Sequence, residues 1–178
     1  MTSNRLLKCG ALFALSLGLI LLAGYDDLVA AGKADEAKKL LETLKKSKVA
    51  KDRADAATEL GKIGEVNFKN AEPAIETLTE LLDDKEATVR AASALALGKI
   101  GPDDKKTLVT KLRSMLKDEK DEAVQLAATQ ALGYLGKDAS DAVSDLRAMK
   151  KDLADQKGKF SKAIDAAIRT IQPPKPKK

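Results

Sequence analysis

The sequence predicts an all-α fold, a solenoid of about four helix pairs filling residues 32–172. Three observations carry this. First, a six-residue segment recurs as ELGKIG (59–64), ALGKIG (96–101) and ALGYLG (131–136), 37 and then 35 residues apart, and self-similarity at such a period marks a repeat architecture. Second, in VRAASALALGKIG (89–101) only Arg90, Ser93 and Lys99 are polar. A helix apolar nearly all round must be buried on most sides, which requires neighbours on both flanks, as in a stack of repeats. Third, stripes of apolar residues at helical spacing lie between the recurring segments.

Composition fits. Hydrophobic residues make up 44% and aromatics only 3%, with Ala and Leu dominant. That mix suits close packing of helices better than a sheet, which favours β-branched and aromatic side chains.

Taken in order, residues 1–31 come first. Arg5 and Lys8 precede 17 uncharged residues, Cys9 to Tyr25, followed by small residues. A basic start, an apolar run and a small-residue end have the shape of a secretory signal peptide. Val29-Ala30-Ala31 offers a cleavage site that leaves Gly32 at the mature start. The run is marginal against the roughly 20 residues of a spanning helix, and an uncleaved anchor is the alternative. Leu22-Ala23-Gly24 is similar to the lipobox of bacterial lipoproteins, but Tyr25 stands where that motif requires Cys.

The repeats follow. Leu60, Leu97 and Leu132 align, as do Gly61, Gly98 and Gly133, then Ile63, Ile100 and Leu135, then Gly64, Gly101 and Gly136. The second glycine of each copy follows the last periodic residue and suits the left-handed position that ends a helix. The first falls within the last helical turn, where it costs ~1 kcal/mol relative to Ala. A cost met three times implies a shared reason, and close approach of neighbouring helices is the expected one. Outer helices are read from Leu40, Leu41 and Leu44, from Ile75, Leu78, Leu81 and Leu82, from Val109, Leu112, Met115 and Leu116, and from Val143, Leu146 and Met149. Residues 65–70 read as a loop, Pro73 as a helix start and Pro102 as part of a helix's first turn. The expected pairs are 34–47 with 50–63, 71–83 with 86–100, 103–117 with 120–135, and 140–153 with 159–171. The last inner helix lacks the LGxIG ending, and Pro173-Pro174 stops it. Residues 173–178 read as a basic, disordered tail.

Chemistry is narrowed by absences. The chain has no His and one Cys. It can build no Cys/His zinc site, no haem attachment of the C-x-x-C-H type, no internal disulfide and no catalysis with a His base. The acidic residues are dispersed, so no carboxylate pair stands out for acid–base work. The reading is a protein that is not an enzyme, with no cofactor and no metal. Charge is uneven: residues 157–178 hold seven bases against one acid, while residues 32–156 hold 23 against 24. Lys157, Lys159, Lys162, Lys175, Lys177 and Lys178 are candidate contacts for an anionic surface. Missing aromatics interleaved with these bases argue against specific nucleic-acid binding.

LLDDKEATVRAASALALGKIG (81–101) resembles the bacterial HEAT repeat, in particular the short PBS-lyase HEAT-like form, through Leu82, Asp84, Val89, Arg90, Ala91, Ala92, Ala94, Leu97, Gly98, Ile100 and Gly101. The third copy has a loop one residue longer and Gln125 in place of the Arg, and the first lacks the Val. The resemblance covers about residues 34–171. It implies a right-handed superhelix of antiparallel pairs whose second helices line a concave face. It also implies that Arg53, Asp84 and Arg90 form a ladder of bonds along the stack, with Gln125 interrupting it.

Three functions compete on this reading. One is a non-catalytic exported module, periplasmic or secreted, that scaffolds an unidentified protein partner on its concave face and is itself monomeric. Another is a polyanion or membrane-surface binder acting through the basic C-terminus. The last is an enzyme subunit of the bilin-lyase type, against which the export signal argues.

Overall fold

The computed structural model describes residues 32–153 and 158–174. Residues 1–31, expected to form a signal peptide, and with them the choice between cleavage and anchoring, lie outside the described residues. So do Lys157, Lys175, Lys177 and Lys178. The chain divides into two units, Met1–Glu36 and Ala37–Lys178. Of the first, residues 32–36 are described; Lys33 there pairs with Glu36 at 2.7 Å.

The second unit is helical throughout, with no strand among the described residues. Helix α1 ends at residue 46. The others are α2 (Ala50–Val66), α3 (Phe68–Ala71), α4 (Ile75–Glu80), α5 (Ala87–Ile100), α6 (Lys105–Asp118), α7 (Glu122–Leu135), α8 (Val143–Asp152) and α9 (Lys159–Ile171). Short 3₁₀ turns fill Glu72–Ala74, Leu81–Asp83 and Gly136–Ala142. The inner helices stack in chain order, α2 on α5, α5 on α7 and α7 on α9. Each outer element packs on its own inner helix, α4 on α5, α6 on α7 and α8 on α9. The result is an all-α solenoid with one continuous core running from Ala37 to Ile171.

Two rows of leucines build that core. Leu60, Leu97 and Leu132 on the inner helices are wholly buried. Leu44, Leu78, Leu112 and Leu146 on the outer helices are buried too. Full burial of such a side chain contributes about 1.5–3 kcal/mol, so each row anchors one layer of the stack. Local signals fix the ends. Asp104 Oδ1 accepts the Thr107 N–H at 3.1 Å, and Asp121 Oδ1 accepts the Ala123 N–H at 2.8 Å. These side-chain caps satisfy amides that a helix start leaves open.

Three local expectations are corrected. Gly101 (φ 65°) ends α5 in the left-handed conformation, and Gly136 (φ 58°, ψ −133°) turns the chain in a region that other residues rarely adopt. Gly64 does neither, because α2 runs past it to Val66 and ends where the Asn67 N–H meets the Ile63 carbonyl at 2.8 Å. Gly64 is instead a packing seat: a Cβ there would meet Ile100 Cγ1 at 2.5 Å and Ala71 Cβ at 2.9 Å. Residues 65–70 are mostly helix, since Asn67 Oδ1 accepts the Lys69 N–H and caps α3. Pro102 lies buried ahead of α6, where the Asp104 cap sets the helix start.

Candidate interaction surface

The seams between inner helices define the surface, and glycine sets how close they are. A Cβ on Gly61 would fall 2.8 Å from Ala96 Cα, one on Gly98 2.6 Å from Ala131 Cα, and one on Gly133 3.3 Å from Ala167 Cα. The first two distances leave no room for a side chain, so helix backbones touch there. Beside them Ile63, Ile100 and Leu135 are buried.

Arginines bind the turns together. The Arg53 guanidinium donates to both carboxylate oxygens of Asp84, at 2.8 and 3.0 Å from Nη2, and from Nη1 to the Ser47 carbonyl at 3.1 Å. It therefore joins its own turn to the next one. Arg90 repeats the arrangement, donating to Glu119 Oε2 at 2.7 Å and to the Asp84 carbonyl at 2.8 Å. That bond holds the Glu119 carboxyl below its ordinary range and raises the Arg90 guanidinium. In the third copy Gln125 donates to the carbonyls of Glu119 (2.9 Å) and Leu116 (3.3 Å), and carries no charge with which to pair. Glu119 was not singled out from the sequence. It stands six residues before Gln125, as Asp84 stands six before Arg90 and Ser47 six before Arg53, and that register is the signal that finds it. Outer helices carry their own ties, Lys105 to Asp138 at 2.8 Å and Arg113 to Asp145 at 2.6 Å. Burial pushes the Asp145 carboxyl up, but bonds from Arg113 and Lys117 outweigh it and hold the group low.

The open face of the inner helices has an uneven character. On α2, Lys51 pairs with Asp55 and Lys62 with Glu59. On α5 and α7 the partly exposed residues include Ala91, Ala92, Leu95 and Leu126. Tyr134 is 51% exposed, with the Lys99 ammonium 5.5 Å from its ring centroid. Lys99 also bonds Glu65 at 2.8 Å, which raises its pKa. On α9, Lys159, Lys162 and Arg169 are exposed. The sequence had pointed to Lys159 and Lys162, but not to the Lys99–Tyr134 contact, which joins residues from neighbouring repeats.

An all-α stack of short helical hairpins, three of which repeat the same leucine and glycine positions and two of which repeat the arginine, defines an α-solenoid repeat protein. The sequence profile of the HEAT repeats matches residues 37–133, and the chain belongs to that family. HEAT repeats commonly serve as protein-interaction scaffolds, and their fold is typically non-catalytic. No curated protein matches the chain.

Proposed function

We propose that the chain is an exported, non-catalytic HEAT-repeat protein of the bacterial PBS-lyase-like type that scaffolds a protein partner on its inner-helix face. The observation that carries the reading is that face itself. It presents Ala91, Ala92, Leu95, Leu126 and half-exposed Tyr134 on a frame held by buried leucines and inter-repeat clamps. A rigid, mildly apolar strip between charged ends suits a polypeptide partner, because recognition gains most from preorganised surfaces. Export rests on the basic and apolar pattern of residues 1–31.

The test has two parts. Cell fractionation with N-terminal sequencing is expected to give a soluble exported form that starts near Gly32. Photo-crosslinking from Thr58, Leu95 and Gln130 on the inner helices is expected to trap a protein, while crosslinkers at Lys106 and Arg147 on the outer helices trap none. An intact cytosolic form would overturn the export reading and restore the enzyme-subunit alternative. Crosslinks confined to the outer helices would overturn the inner-face reading. Exposed Lys159, Lys162 and Arg169 favour a second reading, an anionic surface bound through the C-terminal end. Its mark would be binding that falls steeply with salt and disappears when Lys159, Lys162 and Arg169 are all replaced by Glu.

A further inference from the structure

The three inner seams differ in a way that singles out one of them. A Cβ would sit 2.8 Å from the neighbouring backbone at the α2–α5 seam and 2.6 Å at the α5–α7 seam, but 3.3 Å at the α7–α9 seam. The clamps follow the same order: Arg53–Asp84 spans the first seam and Arg90–Glu119 the second, whereas Gln125 bonds only carbonyls of its own hairpin. Where the helices are widest and the clamp is missing, a groove of about 460 Å³ opens between α7 and α9. Its floor is Gly133, Ala163, Ala166 and Ala167, and Tyr134 forms one wall. Such a volume lies within the ~300–1,000 Å³ of ligand-sized clefts.

The unpaired charge of α9 has one sign among the described residues. Lys159 stands at the head of the stripe 159, 163, 166, 170, so it shares a helix face with the groove residues Ala163, Ala166 and Thr170. Lys162 is one turn from Ala166. Both lysines are exposed, as is Arg169, and none of the three is in an ion pair among the described residues. Asp165 is paired with Lys150 at 2.6 Å, which leaves Glu122 as the other acid on α7 and α9 among the described residues.

We propose that the α7–α9 groove docks an acidic polypeptide segment carrying one bulky apolar side chain. The apolar side chain fills the small-residue floor against the Tyr134 ring, and flanking carboxylates meet Lys159 and Lys162. This deepens the scaffold reading and rests on it. At the other two seams the helix backbones approach more closely, within 2.8 Å of a Cβ on Gly61 or Gly98.

Fluorescence polarisation with labelled 12-residue peptides tests it on the full chain. One peptide carries a single Leu among Asp and Glu, a second has Ala for that Leu, and a third has Lys for the acids. The Leu-acidic peptide is expected to bind, the Ala peptide at least fivefold more weakly, and the Lys peptide not at all. Ala166→Glu and Lys159→Glu should each weaken binding about tenfold, and Tyr134→Ala about fivefold. Lys106→Glu, at an exposed position of the outer helix α6, should leave it unchanged. Circular dichroism confirms the fold of each variant; these positions are exposed. Absence of binding at 1 mM peptide overturns the proposal, and so does full affinity in Ala166→Glu. Equal affinity for the Leu and Ala peptides, accompanied by binding to phosphatidylglycerol vesicles, overturns it in favour of a charge-only surface. Crosslinks from Leu95 without peptide binding would sink the groove proposal alone, while crosslinks from no inner-helix position would sink the scaffold reading with it.

Discussion

Replacing Gly98 with Ala tests the principle that holds the repeats together. On helix propensity alone the change is favourable by ~1 kcal/mol. The structure opposes it, because the new Cβ would lie 2.6 Å from Ala131 Cα, 2.8 Å from its Cβ and 3.0 Å from its carbonyl oxygen. Ordinary contact begins near 3.4 Å, and the nearest atom is backbone, so relief requires α5 and α7 to move apart. That separation also loosens buried Leu97 and Leu132 beside the seam. Overpacking of this kind costs about 1–3 kcal/mol, and weaker dispersion attraction between the separated helices adds to it. The net expectation is destabilisation of about 1–2 kcal/mol relative to the parent. Gly133→Ala is the internal control: its Cβ would sit 3.3 Å from Ala167 Cα, and there the propensity gain of up to ~1 kcal/mol should prevail. Urea unfolding followed by circular dichroism at 222 nm reads both. A Gly98→Ala protein as stable as the parent, or a Gly133→Ala protein less stable than Gly98→Ala, would refute close backbone approach as the reason for these glycines.

Other consequences follow from the clamps and from two orphaned hydroxyls. Arg53→Ala leaves the Asp84 carboxylate, whose side chain is 9% exposed, without its bidentate partner. A loss of about 3 kcal/mol in urea unfolding is expected, and Arg53→Met with Asp84→Leu should recover most of it. Glu119 titrates below its ordinary 4.5 through its bond to Arg90, so its stabilisation is fully present above pH 4.5 and is lost as pH falls through the lower folded value. Glu119→Gln should therefore be less stable at neutral pH and lose less stability below pH 4.5, as read by thermal melts across pH 3–7. Ser93 Oγ and Thr129 Oγ1 are buried without hydrogen-bond partners among the described residues. Ser93→Ala and Thr129→Val should each raise stability by about 1 kcal/mol, since an unsatisfied buried hydroxyl is costly; a loss of stability in both would show that the hydroxyls are bonded in solution.

Helices and their pairing were legible in the chain because periodicity and helix-ending residues are local properties. The stripe Ala163, Ile164, Ala167, Ile168 and Ile171 required α9, and ALGKIG followed by Pro102 required an end to α5 near Gly101. The meaning of individual glycines was less legible. Gly64 and Gly101 occupy the same place in the repeat, yet one packs under Ile100 while the other turns the chain. What separates them is Ala71, which α3 folds against the end of α2, a contact that no spacing within the repeat encodes. The candidate surface was less legible again. Lys159 and Lys162 could be named from charge, but the groove depends on the α7–α9 distance and on Gln125 standing where Arg53 and Arg90 form clamps.

The sequence by itself determined the repeat, the all-α class, the buried leucine rows and the exclusion of His-based chemistry, since these depend on residue type and order along one strand of chain. Only the tertiary structure decided which seam is open, which acid each arginine meets and which aromatic is exposed. Those outcomes depend on distances between helices some 35 residues apart, and such distances are set by the packing of both partners together.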